Sequence, residues 1–365
     1  MKRHQLIGAP VSLYTGKARA YLRYKQIPFD EVLSTREVYR SLIVPRTGVR
    51  YIPVLITDDD VAIQDTTDII DQLELRYPER SIYPTSPAQR LVALLFEVYG
   101  DEWLVIPAMH YRWNVPENRA FALREFGATA SPSSTPDEQL AIGEQLARPF
   151  AGALPPLGIS ERSGPAIEAS YTQLLLDFDR HLEDFPFLLG SRPSIGDFGL
   201  FGPLYAHLYR DPYSGRALRQ RAPHVAAWVE RLLEPAAEPG AFLPDDRVPE
   251  TLLPLLQRMF REQVPVLRDT ADQIAVWAAA DPTRRELPRA LGRHTYSIEG
   301  IEEQRAVYPY SVWMWQRPHD YQRGLQDAER ARTAPLLAAL PGAPSAFSTP
   351  IPRRVLRLDN KLVLA

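Results

Sequence analysis

The stretch from Val49 to Asp71 constrains the fold of this chain more than any other. Residues 51–57 are rich in β-branched and aromatic side chains, which predicts a strand. Pro53 lies near the beginning of that run, and because proline has no N–H to donate, it belongs at the start or the edge of a strand. The acidic triplet at 58–60 predicts a turn, and residues 61–63 predict a second strand. We therefore expect a pair of strands here.

A helix is predicted directly after this strand pair. Asp65 and Thr66 are both good N-cap residues. The apolar residues that follow them recur at helical spacing: Ile69, Ile70 and Leu73. A strand pair that runs into a capped helix presents backbone N–H groups and a side-chain hydroxyl at one point, which suits a carboxylate. The alternative is a strand–turn–helix with an ordinary cap.

The residues before this stretch predict the rest of a small mixed domain. Residues 5–8 and 29–33 predict strands, residues 35–41 predict a short helix, and residues 45–48 predict a loop. A first helix is expected between the two strands from apolar residues at helical spacing: Ala18, Tyr21 and Leu22. The resulting order, β-α-β-α-β-β-α, is that of a thioredoxin-like fold, whose first crossover is a parallel βαβ unit.

Two segments of this chain resemble glutathione transferases. Residues 12–19, SLYTGKAR, resemble the active-site turn of that family, where Ser, Cys or Tyr precedes a helix carrying a basic residue, a small residue and Arg. Residues 49–71 resemble the second half of its thioredoxin-like domain. The resemblance implies a cis peptide bond before Pro53 and pairing of glutathione with the backbone of Ile52.

The same resemblance implies that Asp65 and Thr66 bind the γ-glutamyl end of glutathione. The family more often has Glu followed by Ser at these positions. Asp followed by Thr keeps the charge and the hydroxyl but shortens the acid.

Ser12 falls where serine- and cysteine-type members of the family carry their catalytic residue. An unperturbed thiol has a pKa well above neutrality. A hydroxyl donor and the positive end of a helix would stabilise the thiolate of glutathione, so the serine would act as a donor and not as a nucleophile. Tyr14 and Thr15 are nearby donors that could share or take this role, and Tyr14 is also expected to bind the cofactor. The alternative is a loop or cap serine.

Composition excludes several other classes of function. The chain has no cysteine, which removes disulfides, cysteine-ligated zinc and a cysteine nucleophile. The net charge of −3 gives no basic field for nucleic acid. No apolar run approaches the length of a membrane span. We therefore expect a cytoplasmic protein with no nucleic-acid partner, no membrane contact and no metal site.

A second, all-helical domain is predicted at 88–235, after a thioredoxin-like domain at 1–80 and a proline-rich linker. Residues 88–114 predict a long apolar helix broken at Pro107, and residues 115–156 look less regular. In glutathione transferases the first helix of this domain lines the electrophile pocket, so the resemblance suggests four pocket residues: Trp103, Met109, His110 and Trp113. Core packing is the alternative for each of them.

The later part of this domain carries two clearer helix signals. Ser194 and Asp197 have the spacing of a capping box, and this motif matches the one that the family carries at the start of its buried helix. We interpret it as a folding device. Residues 223–233 predict the next helix of the domain.

Residues 236–365 form an extension beyond the resemblance. It is expected to be mainly helical, with helices predicted at 252–260, 264–280 and 326–340. Residues 297–307 and 308–315 hold β-prone residues, and the apolar tail at 355–358 needs burial as a strand or packed coil. Three roles stay open: to cover the cleft, to build a dimer face, or to enlarge the core.

The sequence therefore predicts an α+β protein that resembles a serine- or cysteine-type glutathione transferase with a long C-terminal extension. The implied function is to bind glutathione and to activate its thiolate for attack on a small hydrophobic electrophile. A homodimer is expected by resemblance alone. The alternatives are a binding or interaction protein of the same fold without enzymatic activity, and a carrier of hydrophobic molecules.

Overall fold

The computed structural model describes residues 3–365 and divides the chain into two compact units. Each unit draws on three separate stretches of sequence. The first unit contains residues 3–82, Ala108–Ala153 and Leu200–Pro239. The second unit contains residues Tyr83–Pro107, Leu154–Gly199 and Gly240–Ala365. No helix among the described residues combines the length and the apolar character that crossing a membrane requires.

The first unit is built on a four-stranded mixed sheet. Its strands are β1 (His4–Gly8), β2 (Phe29–Leu33), β3 (Val54–Ile56) and β4 (Ala62–Gln64). They lie in the order β2-β1-β3-β4, with β1 parallel to β2 and β3 antiparallel to both β1 and β4. This topology confirms the predicted thioredoxin-like domain.

Four helices belong to the same segment: α1 (Leu13–Tyr24), α2 (Arg36–Val38), α3 (Val44–Thr47) and α4 (Thr66–Arg76). A π-helical turn at Tyr39–Ile43 joins α2 to α3. The prediction of a loop at 45–48 was wrong, because Pro45 lies in the first turn of α3, where its missing N–H is harmless. A core cluster of the sheet contains Ile7, Ile43, Val54 and Ile56.

The middle of the chain is helical. Its α-helices are α5 (Pro87–Glu102), α6 (Val105–Asn114), α7 (Pro116–Ala130), α8 (Pro136–Ala151), α9 (Gly164–Asp184), α10 (Ile195–Pro203), α11 (Pro212–Arg221) and α12 (Pro223–Leu233). Short turns are the 3₁₀ segment Pro155–Leu157 and the π segment Leu204–Tyr209. The predicted break at Pro107 was misplaced: the chain breaks between Glu102 and Val105, and Pro107 lies in the first turn of α6.

Residues 115–156 are more regular than the sequence suggested, because α7 and α8 pack closely within the first unit. Glycines make this approach possible. A Cβ on Gly127 would lie 1.7 Å from the carbonyl oxygen of Gln139, and a Cβ on Gly143 would lie 1.9 Å from that of Leu123. Glycine lowers helix propensity, but at these two positions it permits close contact between the helix backbones.

The predicted capping motif is present at the start of α10. The carboxylate of Asp197 accepts hydrogen bonds from the backbone N–H of Ser194 at 2.8 Å and from its hydroxyl at 2.8 Å. The other carboxylate oxygen accepts from the N–H of Leu188 at 3.0 Å. Asp197 is fully buried, and these bonds join the helix to the preceding loop.

The C-terminal extension holds four helices and two hairpins: α13 (Leu253–Ala280), β5 (Arg293–Ile298), β6 (Ile301–Ala306), α14 (Tyr310–Gly324), α15 (Asp327–Ala338), α16 (Ala343–Ser348), β7 (Val355–Leu358) and β8 (Lys361–Leu364). Two 3₁₀ turns precede them, at Pro244–Asp246 and Glu250–Leu252. The predicted mainly helical character is confirmed.

One detail of the extension differs from prediction, and one segment that the sequence left unassigned forms a helix. The helices predicted at 252–260 and 264–280 are one helix, in which two of the three intervening polar residues, Glu262 and Gln263, are buried: the amide of Gln263 donates to the carbonyl of Val98 at 3.1 Å. Residues 308–315 lead into α14 and not into a strand. Val312 packs there in a core cluster, and such tertiary burial overrides β-propensity.

The extension is an integral part of the second unit. Arg317 of α14 forms an ion pair of 3.1 Å with Glu97 of α5, and it also donates to the hydroxyl of Tyr83 at 2.7 Å. The Glu97 side chain is completely buried. The hairpin of β7 and β8 places Val355 in the same core cluster as Val312 and Ile274. The extension therefore contains a hydrophobic core cluster of its own within the second unit.

Candidate functional site

Three segments singled out by sequence meet at one edge of the sheet in the first unit. Ile7 of β1 is paired with Val54 of β3, and Val54 is paired with Gln64 of β4. Because β3 runs antiparallel to both neighbours, the end of β1, the start of β3 and the end of β4 share an edge. Ser12 follows β1, Ile52 precedes β3, and Asp65 follows β4.

Ser12 is the N-cap residue of α1. Its backbone N–H donates to the carbonyl of Ala9 at 3.1 Å, and its Oγ accepts from the N–H of Thr15 at 3.2 Å. The Thr15 hydroxyl accepts from the N–H of Ala9 at 3.4 Å, so it holds the turn. The first turn of α1 has no acidic residue to offset the positive end of the helix. Ser12 Oγ therefore serves as a cap acceptor and still carries a proton to donate.

Ile52 lies just before β3, and its backbone groups make no hydrogen bond within residues 3–365. The bond between Ile52 and Pro53 is cis, the isomer that the resemblance implies. Ile52 is half-buried, and neither its N–H nor its C=O bonds to another residue in the described range 3–365. An extended peptide can pair with such a backbone as with a sheet edge.

Asp65 and Thr66 form the start of α4. Asp65 is its N-cap residue, and one carboxylate oxygen accepts from the N–H of Thr67 at 2.9 Å. Its φ of +86° is strained for a residue with a side chain, and such strain clusters at binding sites. Thr66 is 4% exposed, and within residues 3–365 neither its N–H nor its hydroxyl has a bonding partner. The residues thus fit a ligand with a charged, hydrogen-bonding end.

Two other side chains of α1, those of Tyr14 and Arg19, interact with other residues of the protein. Tyr14 is half-buried in the first turn and already takes part in an interaction, so its expected role in cofactor binding stays a prediction. Arg19 forms an ion pair of 2.7 Å with Glu31 of β2, which fits a structural role.

Arg112 is a buried residue whose contact with the Ser12 turn the sequence did not predict. Its Nη1 donates to the carbonyl of Val11 at 2.9 Å, directly before Ser12. Its Nε and Nη2 donate to the two carboxylate oxygens of Asp211 at 2.8 and 2.7 Å. An arginine among the large apolar residues of α6 was the available signal, because a buried charge needs partners.

The electrostatics around this arginine are set by burial. Burial raises the pKa of Asp211, and the hydrogen bonds from Arg112 oppose that rise. His207 is also buried, and burial followed by the charge of Arg112 lowers its pKa well below the usual value. Burial thus disfavours the protonated form of His207 beside the Arg112–Asp211 ion pair.

The four predicted pocket residues fall in different units. Trp103 lies in the second unit, where its Nε1 donates to Glu262 at 3.2 Å and its ring meets Tyr296 edge-on at 5.8 Å. Met109, His110 and Trp113 lie on α6 in the first unit.

Each of these three side chains of α6 is buried. His110 is within 3.0 Å of the Asn114 amide, and the Trp113 ring packs on Phe126 and Phe150. These contacts are those of interior packing, and the pocket stays a prediction.

Two family models match the chain. One is described as the N-terminal domain of glutathione S-transferase and matches residues 6–81; the other is described as the C-terminal domain of glutathione S-transferase and matches residues 162–231. A comparison with curated proteins found no match.

Solved structures with a similar arrangement include three transferase-related proteins. A tau class glutathione S-transferase from mango is 20% identical, covering 69% of this chain and 95% of that one, with a TM-score of 0.42. A glutathione S-transferase from Methylobacterium radiotolerans in complex with glutathione sulfonate is 23% identical, covering 68% and 100%, with a TM-score of 0.40. The β-etherase LigF from Sphingobium is 19% identical, covering 64% and 96%, with a TM-score of 0.47.

Proposed function

We propose, from the premise that this chain belongs to the glutathione S-transferase superfamily, that it binds glutathione at the sheet edge of its first unit. The observation that carries the proposal is the convergence of three segments there: Ser12 after β1, Ile52 before β3, and Asp65 with Thr66 after β4. These segments offer a hydroxyl, an unpaired backbone edge and a capped helix start.

The residues at this edge match the chemical groups of a tripeptide thiol. The backbone of Ile52 would pair with the cysteinyl part, since its N–H and C=O make no bond within residues 3–365. Thr66 would donate its N–H and hydroxyl to the α-carboxylate of the γ-glutamyl end, and the Asp65 carboxylate would attract its ammonium group. Tyr14 is a further contact by resemblance.

Ser12 would hold the reacting thiol in its ionised form. When bound, glutathione supplies a sulfur nucleophile for conjugation. The Ser12 hydroxyl donates its proton towards the sulfur while its oxygen keeps the cap bond to Thr15. The hydroxyl and the N-terminus of α1 both favour the charged form, and both therefore lower the pKa of the thiol. We therefore propose a transferase of the serine type.

The second substrate would be a small hydrophobic electrophile. By resemblance, its binding residues in the first unit are Met109, His110 and Trp113. The absence of cysteine means that no mixed disulfide can form with the protein itself. Conjugation, reductive dehalogenation, ether cleavage and isomerisation need only the thiolate of glutathione.

We also infer from the family resemblance that the protein acts as a homodimer in the cytoplasm. Sedimentation equilibrium of the full chain tests the first part: a mass of twice 41.4 kDa is expected, and a monomer at all concentrations contradicts it. Fractionation of cells that express the chain tests the second part.

Calorimetric titration with glutathione, followed by a conjugation assay with a chlorodinitrobenzene and a panel of other electrophiles, tests the proposed function. Saturable binding together with turnover supports it. Binding without turnover of any electrophile would favour a non-enzymatic binding protein of the same fold. No binding at millimolar glutathione would refute the glutathione site.

A further inference from the structure

We propose that Arg112 is a positioning residue for Ser12 and acts through the backbone of the turn between β1 and α1. The consequence for the thiol rests on the proposed function. The geometric part of the proposal concerns the protein alone and can be tested without a ligand.

Arg112 is held from several directions, so its guanidinium has one available position. Two of its nitrogens bind the carboxylate of Asp211 as a fork, at 2.8 and 2.7 Å. Nη2 also donates to the carbonyl of Ala206 at 2.6 Å, and Nη1 donates to the carbonyl of Val11 at 2.9 Å. The side chains of Arg112 and Asp211 are 2% and 0% exposed. A planar fork oriented by a carboxylate is a rigid donor.

The contact with Val11 fixes Ser12 because a peptide group is planar. The carbonyl of Val11 and the N–H of Ser12 belong to the same peptide group. Arg112 binds its oxygen, and the Ala9 carbonyl accepts from its N–H at 3.1 Å. Both sides of the peptide group are therefore anchored, which sets the position of the Ser12 Cα and the direction in which its hydroxyl can point.

A buried ion pair is a poor choice for stability alone. An apolar substitute of similar volume is often as stable, so the role that we assign to this pair is the geometry that it imposes. The other charged or titratable groups around the pair are Arg210, Glu125 and His207, and none of them has a hydrogen bond to the Ser12 turn within residues 3–365. Arg112 is thus the group that connects this network to the turn.

Arg112→Lys is the decisive variant. Lysine keeps the charge but has no planar fork, so it cannot bind Asp211 on two atoms and reach Val11 as well. Amide hydrogen exchange without glutathione is the first measurement. We expect exchange at Ser12, Thr15 and Gly16 to become at least about tenfold faster than in the wild type, relative to the paired amides of β1 and β3. Arg216→Lys is the matched control.

The control changes the same residue type in the same unit. Arg216 forms a two-atom ion pair with Glu117 at 2.8 and 2.7 Å, and it is exposed. The amide hydrogen exchange of the Arg216→Lys variant should equal that of the wild type. If the amides of the Ser12 turn accelerate no more in Arg112→Lys than those of β1, the pair only stabilises the fold and the proposal is overturned.

The second measurement is the pKa of the bound glutathione thiol, followed by thiolate absorbance. In Arg112→Lys the thiol pKa of bound glutathione should rise. The glutathione Kd should change less than about threefold, since the binding groups of Ile52 and Thr66 are intact. An unchanged thiol pKa would overturn the proposal. If wild-type protein binds no glutathione, the proposed function fails, but the exchange measurement still decides whether Arg112 positions the turn.

Asp211→Asn provides a second variant should Arg112→Lys not fold. It keeps the bond from Arg112 to Val11 but weakens the fork that orients the guanidinium. Exchange at Ser12 should accelerate here too, by a smaller factor than in Arg112→Lys. No acceleration beyond that of β1 would contradict the positioning role.

Discussion

Replacing Ser12 with alanine should have two separable effects, because its hydroxyl has two tasks. Ser12 Oγ caps α1 by accepting from Thr15 N–H at 3.2 Å. Loss of a serine cap costs about 1 kcal/mol of stability. Loss of a hydrogen bond to a charged group costs about 1.5–3 kcal/mol. At about 1.4 kcal/mol for each pKa unit, the thiol pKa of bound glutathione should rise by about one to two units.

The assay is a pH titration of thiolate absorbance with saturating glutathione, together with urea unfolding of the free protein. The sign follows from the charge: a donor to the thiolate lowers the thiol pKa, so removing the donor raises it. Ser12→Thr keeps a hydroxyl and should lie close to the wild type. Thr135→Ala is the matched control, since Thr135 caps α8 through its hydroxyl at 3.4 Å from Glu138 N–H.

The control should lose a similar stability with no change in the thiol pKa. The proposed role of the Ser12 hydroxyl as a donor to the thiolate is refuted if Ser12→Ala behaves in the same way, with a stability loss of about 1 kcal/mol and an unaltered thiol pKa. Ser12 would then be a helix cap and nothing more.

Three further predictions address binding, packing and pH. Thr66→Val removes a hydroxyl at the start of α4, so the glutathione Kd measured by calorimetry should rise about tenfold; equal affinities would contradict the site. Gly143→Ala should destabilise the protein by about 1–3 kcal/mol in urea, because its Cβ would lie 1.9 Å from the carbonyl oxygen of Leu123. Gly324→Ala, where nothing lies within 4 Å, should be nearly neutral; equal losses would disprove the close helix contact. Burial lowers the pKa of His181 to about 4, so below its unfolded pKa of 6.5 the unfolded chain binds more protons, and the free energy of unfolding decreases as the pH is lowered. Between about pH 7 and about pH 5, the free energy of unfolding of His181→Gln should fall by about 2 kcal/mol less than that of the wild type. An identical pH profile of the two proteins would contradict this assignment.

The sheet edge could be predicted because its signals are local. Proline at a strand start, Asx and Thr at a helix start, and β-branched strands each determine the backbone within a few residues. The structure therefore has β3, β4 and α4 close to where the sequence predicted them. Strand ends that meet at one edge follow from topology, which the order of elements already indicated.

The parts that were missed depend on contacts distant in sequence. Arg112 binds the carbonyl of Val11, about a hundred residues away, and no local pattern reports such a contact. Gly143 carried no local signal of a contact, although its lack of a side chain permits α8 to approach α7. The β-prone residues around Trp313 left that segment unassigned, and it forms a helix with Val312 buried in a core cluster.

The most direct test of the glutathione site is the change in backbone amide resonances when glutathione is added to the ¹⁵N-labelled protein. Saturable shifts should concentrate at Ser12, Ile52 and Thr66, with one common Kd, because these amides border the same edge of the sheet. Saturable shifts confined to other elements, or no shifts at millimolar glutathione, would contradict the account.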